Sequence, residues 1–356
     1  MEKKNNRKNE HVSLAEHFYT ETHQTDFDHI RFVHHSIPET GTQKIDLSTS
    51  FAGLSMTQPF YINAMTGGSS WTKKVNEKLA TVARETGLLM ASGSLSAGLK
   101  DPSVADSFTI IRETNPNGQI LANLGGGQTL ENAKKAINLI QANGLQIHLN
   151  TPQEIVMPEG DRDFSSWLTK LEQIVKGVDV PVIVKEVGFG MSRETMQQLA
   201  SIGVKTIDVS GKGGTNFAQI ENYRRTKNSM DFLEDWGQST AISLLEAQPL
   251  MGSTEILASG GIRTQMDILK SLSLGAHAAG ISGYFLHYVL QHGVDETIAH
   301  VEQIKEQLVA VMTLLGAESV ADLQKTDLII TGPVRDWCEA RDIDYRSFAR
   351  RNQLFD

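Results

Sequence analysis

One cysteine in 356 residues, Cys338, leaves no intrachain disulfide framework and no cysteine-rich metal site. No apolar run approaches the roughly 18 residues that a membrane-spanning helix requires. Residues 1–10 are polar and charged, with no apolar segment behind them to make a secretory signal. These absences predict a cytoplasmic protein without a membrane partner. Excess positive charge is lacking too: 33 Lys and Arg stand against 42 Asp and Glu, a formal net charge of −9. Phosphate binding by nucleic-acid proteins rests on Lys and Arg, so a general nucleic-acid binder is excluded. Any phosphorylated ligand must be held locally, by helix N-termini, glycine turns, a metal or a few placed cations.

What the chain has is one unit repeated. Phe60-Tyr61-Ile62-Asn63-Ala64 reads as a strand, ended by Met65-Thr66-Gly67-Gly68 and followed by a helical pattern with Val75, Leu79, Val82 and Ala83 on one face. Short apolar strands ending in polar or glycine turns recur at residues 88–91, 119–122, 145–149, 182–184, 206–209, 256–258 and 276–281, which makes eight. Strands without clean alternation point to a parallel sheet buried on both faces, and eight strand–helix units close into a (β/α)₈ TIM barrel. A doubly wound open sheet is the alternative, weakened by the absence of G-x-G-x-x-G after the first strand. The expected organisation is a single barrel domain: an N-terminal arm and lead-in over 1–59, the barrel over 60–293 and C-terminal helices over 294–356. Only the sixth connection, residues 216–237, is long, which suits a lid.

Residues 145–161 concentrate the polar chemistry. Leu145, Ile147 and Leu149 alternate with Gln146, His148 and Asn150, and Thr151-Pro152 then stops the strand. His148, Asn150, Gln153 and Glu154 are thereby delivered to one strand end, with Glu154 the natural ligand for a hard cation such as Mg²⁺. The turns after strands seven and eight, Ser259-Gly260-Gly261 and Ser282-Gly283, sit where barrels commonly bind a phosphate. Lys185 ends a buried strand, which calls for an anionic partner or a catalytic role, and Glu186 is the adjacent candidate. Thr66, Ser94, Asn123 and Thr215 add uncharged hydrogen-bonding groups to the same rim, as a large heteroaromatic ligand such as a phosphorylated flavin would need.

Several of these segments together resemble the type 2 isopentenyl-diphosphate isomerases: Asn63-Ala64-Met65-Thr66-Gly67-Gly68, His148-Leu149-Asn150 with Gln153-Glu154, Met157-Pro158-Glu159-Gly160-Asp161, Val184-Lys185-Glu186-Val187-Gly188 and Gly213-Gly214-Thr215-Asn216. The arm, Arg7-Lys8 with Glu10-His11, is similar as well. The resemblance implies an FMN-dependent isomerase that uses Mg²⁺ and a reduced flavin, with NADPH as reductant, to interconvert isopentenyl and dimethylallyl diphosphate. It implies that Ala64, Met65, Thr66, Ser94, Asn123, Lys185 and Thr215 hold the flavin and that Gly260, Gly261, Ser282 and Gly283 hold its phosphate. Arg7, Lys8, His148, Asn150 and Gln153 would meet the substrate, Glu154 would bind the metal, and Gln153 would position or relay a proton while the reduced flavin is the acid and base. It further implies a homotetramer or larger homo-oligomer. The chain departs from the family at Leu95-Ser96, where many members carry Gln-Arg, so an arginine contact to the diphosphate is not expected there. The competing expectation is an FMN-dependent dehydrogenase or oxidase on the same fold, acting on a small hydroxy acid or a nucleotide. A non-catalytic flavin-binding protein would not need Gln153, Glu154 and the basic arm together.

Overall fold

The computed structural model describes residues 2–20 and 24–352, with side chains from residue 9 onward. Eight parallel strands form a closed barrel: β1 (Phe60–Ile62), β2 (Met90–Ala91), β3 (Ile120–Gly125), β4 (Gly144–His148), β5 (Val182–Lys185), β6 (Thr206–Asp208), β7 (Glu255–Ser259) and β8 (Ala279–Ile281). Each pairs with its sequence neighbours, and β8 closes onto β1 through Gly280↔Tyr61. This is the (β/α)₈ architecture that the repeated unit predicts.

The strands are short and buried on both faces, because helices cover the outside and side chains fill the lumen. The first helix, Ser70–Thr86, shows the local logic: Ser69 caps it by accepting from Thr72 N, and Val75, Leu79, Val82 and Ala83 are buried against the barrel. Burying one such Leu or Val contributes about 1.5–3 kcal/mol. Below the barrel, an antiparallel hairpin of Thr49–Phe51 and Leu54–Met56 closes the amino-terminal mouth, with Phe51 tilted against Tyr61. The lead-in is tied to the carboxyl-terminal extension by Ile30–Phe32 pairing with Leu328–Ile330.

The helices that follow β8 agree with the sequence reading, whereas the sixth connection holds more structure than expected. The helix after β8 and the first carboxyl-terminal helix follow one another within Gly283–Leu314 as two helices, separated at Gly293 by a non-helical residue (φ 83, ψ −177) that glycine takes without strain. The sixth connection is not bare loop; it carries the helix Phe217–Arg224 and a short 3₁₀ turn, Asp231–Leu233. Cys338 is buried in the helix Gly332–Ala340, and burial pushes its thiol up to about 11, the state of a packing residue and not a nucleophile. Among the described residues no helix is long and apolar enough to cross a membrane.

Candidate active site

The carboxyl ends of the eight strands open into one cavity of roughly 1050 Å³. Its wall includes every rim residue singled out in the sequence: Ala64, Met65, Thr66, Ser94, Asn123, His148, Asn150, Gln153, Glu154, Lys185, Thr215, Gly260, Gly261, Ser282 and Gly283. Arg7 and Lys8 lie in the helix Glu2–His17, but their side chains fall outside the described residues.

Backbone packing builds the side of the cavity below β6, β7 and β8. A Cβ on Gly260 would stand 2.0 Å from Gly211 O, and one on Gly214 would stand 2.9 Å from Gly261 N. The two loops touch main chain to main chain, and Thr240 Oγ1 lies 2.6 Å from the carbonyl oxygens of both Ser259 and Gly260. Beside them the helix Gly283–Leu314 starts with its N–H groups unpaired by the helix itself. Glycines here let backbone amides reach an anion that a side chain would hold off. The donor set fits a flavin phosphate, and the lumen next to it brings uncharged hydrogen-bonding groups to the same cavity.

A chain of polar side chains crosses that lumen. Asn63 donates to Asp208 Oδ2 (3.0 Å) and accepts from Gln146 Nε2 (3.0 Å); Gln146 accepts from Asn123 Nδ2 (3.2 Å). Asn123 turns its oxygen to His148 Nδ1 at 2.8 Å, so Nδ1 is the ring nitrogen that donates to it. Asp208, fully buried, also accepts from Ser259 Oγ (2.8 Å) and from Ser210 N (3.2 Å). Each amide is oriented by the next, which leaves these groups rigid before any ligand arrives.

Lys185 sits between His148 and Asp208 in the strand register. Burial pulls its ammonium below the ordinary lysine range, while Asp208 and Glu186 oppose that pull. The expected Lys185–Glu186 carboxylate pair does not form: Lys185 Nζ donates to the Glu186 carbonyl at 2.5 Å. The Glu186 carboxylate instead accepts the amides of Val187, Gly188 and Phe189 at 2.6, 2.8 and 2.6 Å. Burial raises its carboxyl from 4.5 to about 7 against those amides and Lys185. A carboxyl raised in this way contributes stability below its unfolded value and loses it as pH rises through the folded one. Glu186→Gln should therefore flatten the fall in thermal midpoint of the flavin-free protein between pH 4.5 and about 7. A slope equal to the parent's would contradict it.

The side of the cavity below β4 is different. Thr151–Val156 forms a short helix with Pro152 in its first turn, which brings Gln153 and Glu154 to the rim. Glu154 accepts from Asn150 Nδ2 (3.0 Å) through one oxygen and from Asp161 N (2.8 Å) through the other. Gln153 accepts from Asn150 (3.1 Å) and donates to Glu221 Oε1 (2.9 Å). Glu221 is buried, also meets His11 Nε2 at 2.9 Å and pairs with Arg224 NH1. Burial would raise its carboxyl, but the contacts with His11, Gln153 and Arg224 outweigh it and hold the group at about 2.

The helix Glu2–His17 roofs this side. Asn9 accepts from Ser69 Oγ (2.7 Å), Glu10 pairs with Arg224 (3.3 Å) and Glu16 with His287 (3.0 Å). Tyr19 stacks on His287 with centroids 4.0 Å apart, and His11, Val12, Ala15 and Tyr19 line the cavity. Glu221, Asp208 and Ser210 are the site residues that sequence reasoning passed over, and His11, noted there only as part of the arm, gains its role from Glu221.

Comparison with known proteins agrees with the geometry. The FMN-dependent dehydrogenase family model matches residues 126–330. Proteins named isopentenyl-diphosphate delta-isomerase match almost end to end. That of Staphylococcus saprophyticus is 50% identical over 344 residues, 97% of this chain and 99% of its own. That of Staphylococcus haemolyticus is 51% identical over 338 residues, 95% of this chain and 97% of its own. Among solved structures, flavocytochrome b2 with benzoylformate superposes with a TM-score of 0.65 at 21% identity, covering 93% of this chain and 82% of that one. A mandelate oxidase variant with an FMN monooxide adduct gives 0.62 at 16% identity, covering 90% and 92%. At those identities the structural likeness speaks for the fold alone.

Proposed function

The chain belongs to the isopentenyl-diphosphate delta-isomerases, and we propose that it interconverts isopentenyl and dimethylallyl diphosphate, using reduced FMN and Mg²⁺. The observation that carries the proposal is Gln153, held between Asn150 and buried Glu221 and one residue from the metal-competent Glu154; Asn150, Gln153 and Glu154 line one cavity with the glycine cradle.

Shifting an unactivated double bond means adding a proton at one carbon and removing one from another, with positive charge on the chain in between. The pocket must keep water and nucleophiles from that charge. Val12 and Ala15, carried by the helix Glu2–His17, and Met157 line the cavity with apolar surface. Reduced FMN, when bound, supplies the exchangeable proton. The protein's own part is positional: Asn63, Gln146 and Asn123 fix the floor, Lys185 would offer its ammonium to the bound flavin, and Gln153 would orient the reacting end without ionising.

Glu154 is a suitable Mg²⁺ ligand because that ion is commonly held by one or two protein carboxylates, with water and substrate phosphate oxygens filling the rest. Glu154→Gln should raise the Mg²⁺ concentration for half-maximal activity by about tenfold, since a neutral amide replaces an anionic oxygen. An unaltered Mg²⁺ titration would remove Glu154 from the metal site. The proposal includes NADPH as electron source, Arg7 and Lys8 as substrate contacts, and a homo-oligomer of four or more chains.

The test is direct. FMN-loaded protein, reduced anaerobically, is given isopentenyl diphosphate and Mg²⁺, and the products are analysed alongside the flavin's redox state. Conversion to dimethylallyl diphosphate with no net oxidation is expected. Consumption of reducing equivalents in proportion to product would favour dehydrogenase chemistry and overturn the reading.

A further inference from the structure

The cations around the cavity are almost all spent. Arg224 is shared among Glu10, Glu159 and Glu221. Arg263 donates to the carbonyl of Thr20 and lies 5.3 Å over the Tyr19 ring. Lys185 is buried on the flavin side with the Glu186 carbonyl. Lys100 also lines the cavity, at the carboxyl end of the helix Ser96–Lys100, and it is exposed, with no hydrogen bond or ion pair among the described residues.

Its place in the barrel gives that free charge a use. The flavin-phosphate cradle belongs to the connections after β6, β7 and β8, whereas Glu154 follows β4. Lys100 follows β2, so it stands across the mouth from the cradle, on the wall shared with Gln128 and Asp161. On that wall Asp101, Glu154 and Asp161 put three carboxylates into the cavity lining, beside Glu159, which Arg224 already pairs. A multiply charged anion entering there meets repulsion unless cations compensate it. A metal on Glu154 supplies part of the compensation, and Lys100 is the described side chain whose charge is uncommitted.

We propose that Lys100 binds the terminal phosphate of the substrate and so selects a diphosphate over a monophosphate; this rests on the reading under Proposed function. Lysine suits the task as a flexible point charge with three donors, able to follow a phosphate oxygen without a fixed fork geometry. The neighbouring hydroxyls of Ser94 and Ser96, linked at 3.2 Å, add neutral donors on the same wall.

The experiment uses FMN-loaded, reduced enzyme with Mg²⁺. Lys100→Ala should raise KM for isopentenyl diphosphate about tenfold, with the loss falling on KM and not on kcat, as expected when one charge-assisted contact to an anion is removed. Lys100→Glu should raise KM further, and Lys100→Arg should restore most of it. With isopentenyl monophosphate, Lys100→Ala should change KM less than twofold, so the preference for diphosphate narrows. Lys78→Ala, an exposed lysine on the helix Ser70–Thr86 away from the cavity, controls for net charge. A KM within twofold of the parent in Lys100→Ala overturns the proposal while leaving the isomerase reading intact. If the parent does not act on isopentenyl diphosphate, the reading falls separately, and binding of inorganic pyrophosphate then decides on Lys100. A tenfold weaker affinity in Lys100→Ala keeps the anion site, and equal affinity removes it.

Discussion

Replacing Glu221 by alanine should lower kcat/KM for isopentenyl diphosphate by about 100-fold, because a displacement of about 1 Å in a positioning group costs that much. Glu221 is 0% exposed and ties together three segments far apart in sequence: His11 of the roofing helix, Gln153 of the rim and Arg224 of the sixth connection. Without it the Gln153 amide loses the acceptor that fixes its orientation, and the roof loses its inner anchor. Stability should fall as well. A carboxyl held at about 2 against an ordinary 4.5 corresponds to about 3 kcal/mol at neutral pH.

The sign gives a second readout of the same residue. A depressed folded pKa contributes stability above the unfolded value and loses it as pH falls through the folded one. The parent should therefore lose this contribution between pH 4.5 and about 2, and Glu221→Ala should already lack it at pH 7. Glu221→Gln keeps the shape and can still accept from Gln153, so it should lose stability while keeping more activity than alanine. An alanine variant within threefold of parental kcat/KM would show that Gln153 needs no such support. Equal losses of stability in the parent and in Glu221→Ala between pH 4.5 and 3 would refute the charge assignment.

The barrel was legible because burial on both faces leaves short apolar strands, and their ends must then carry whatever meets solvent or ligand. That logic found Lys185, and applied to Thr206-Ile207-Asp208-Val209 it would have found Asp208, a carboxylate inside an equally apolar run. Glu221 gave no comparable signal, since it lies in a connection and becomes special only when His11 and Gln153 arrive beside it. Glu186 was misread for a related reason. Adjacency in sequence offered it to Lys185, but the strand ends at Lys185, and the Glu186 carboxylate turns to the amides of the loop that follows. The departure at Ser96 was visible, whereas the compensating role argued for Lys100 required knowing which cations were already paired.

Gly260→Ala should bring the other large effect: FMN affinity lower by about 100-fold, as expected when about two charge-assisted contacts worth about 1.5–3 kcal/mol each are weakened. Two causes act at Gly260, and a second glycine separates them. Its φ of +89 is a region where an alanine costs about 1–2 kcal/mol. Gly252 has φ +97 with nothing within 4 Å of its would-be Cβ, so Gly252→Ala carries the backbone strain alone. At Gly260 the added carbon also meets Gly211 O at 2.0 Å, and neither loop is free to retreat. Gly211 N donates to Ser259 O at 3.0 Å, and Thr240 Oγ1 bridges the Ser259 and Gly260 carbonyls. Gly252→Ala should thus keep parental flavin content and lose a little stability, while Gly260→Ala should purify pale and require far more FMN to saturate its flavin-quenching curve. If both variants bind FMN as the parent does, the backbone donors beside Gly260 are not what holds the phosphate, and the orientation of the whole ligand across the barrel mouth, with the substrate wall at β2 to β4, has to be reversed.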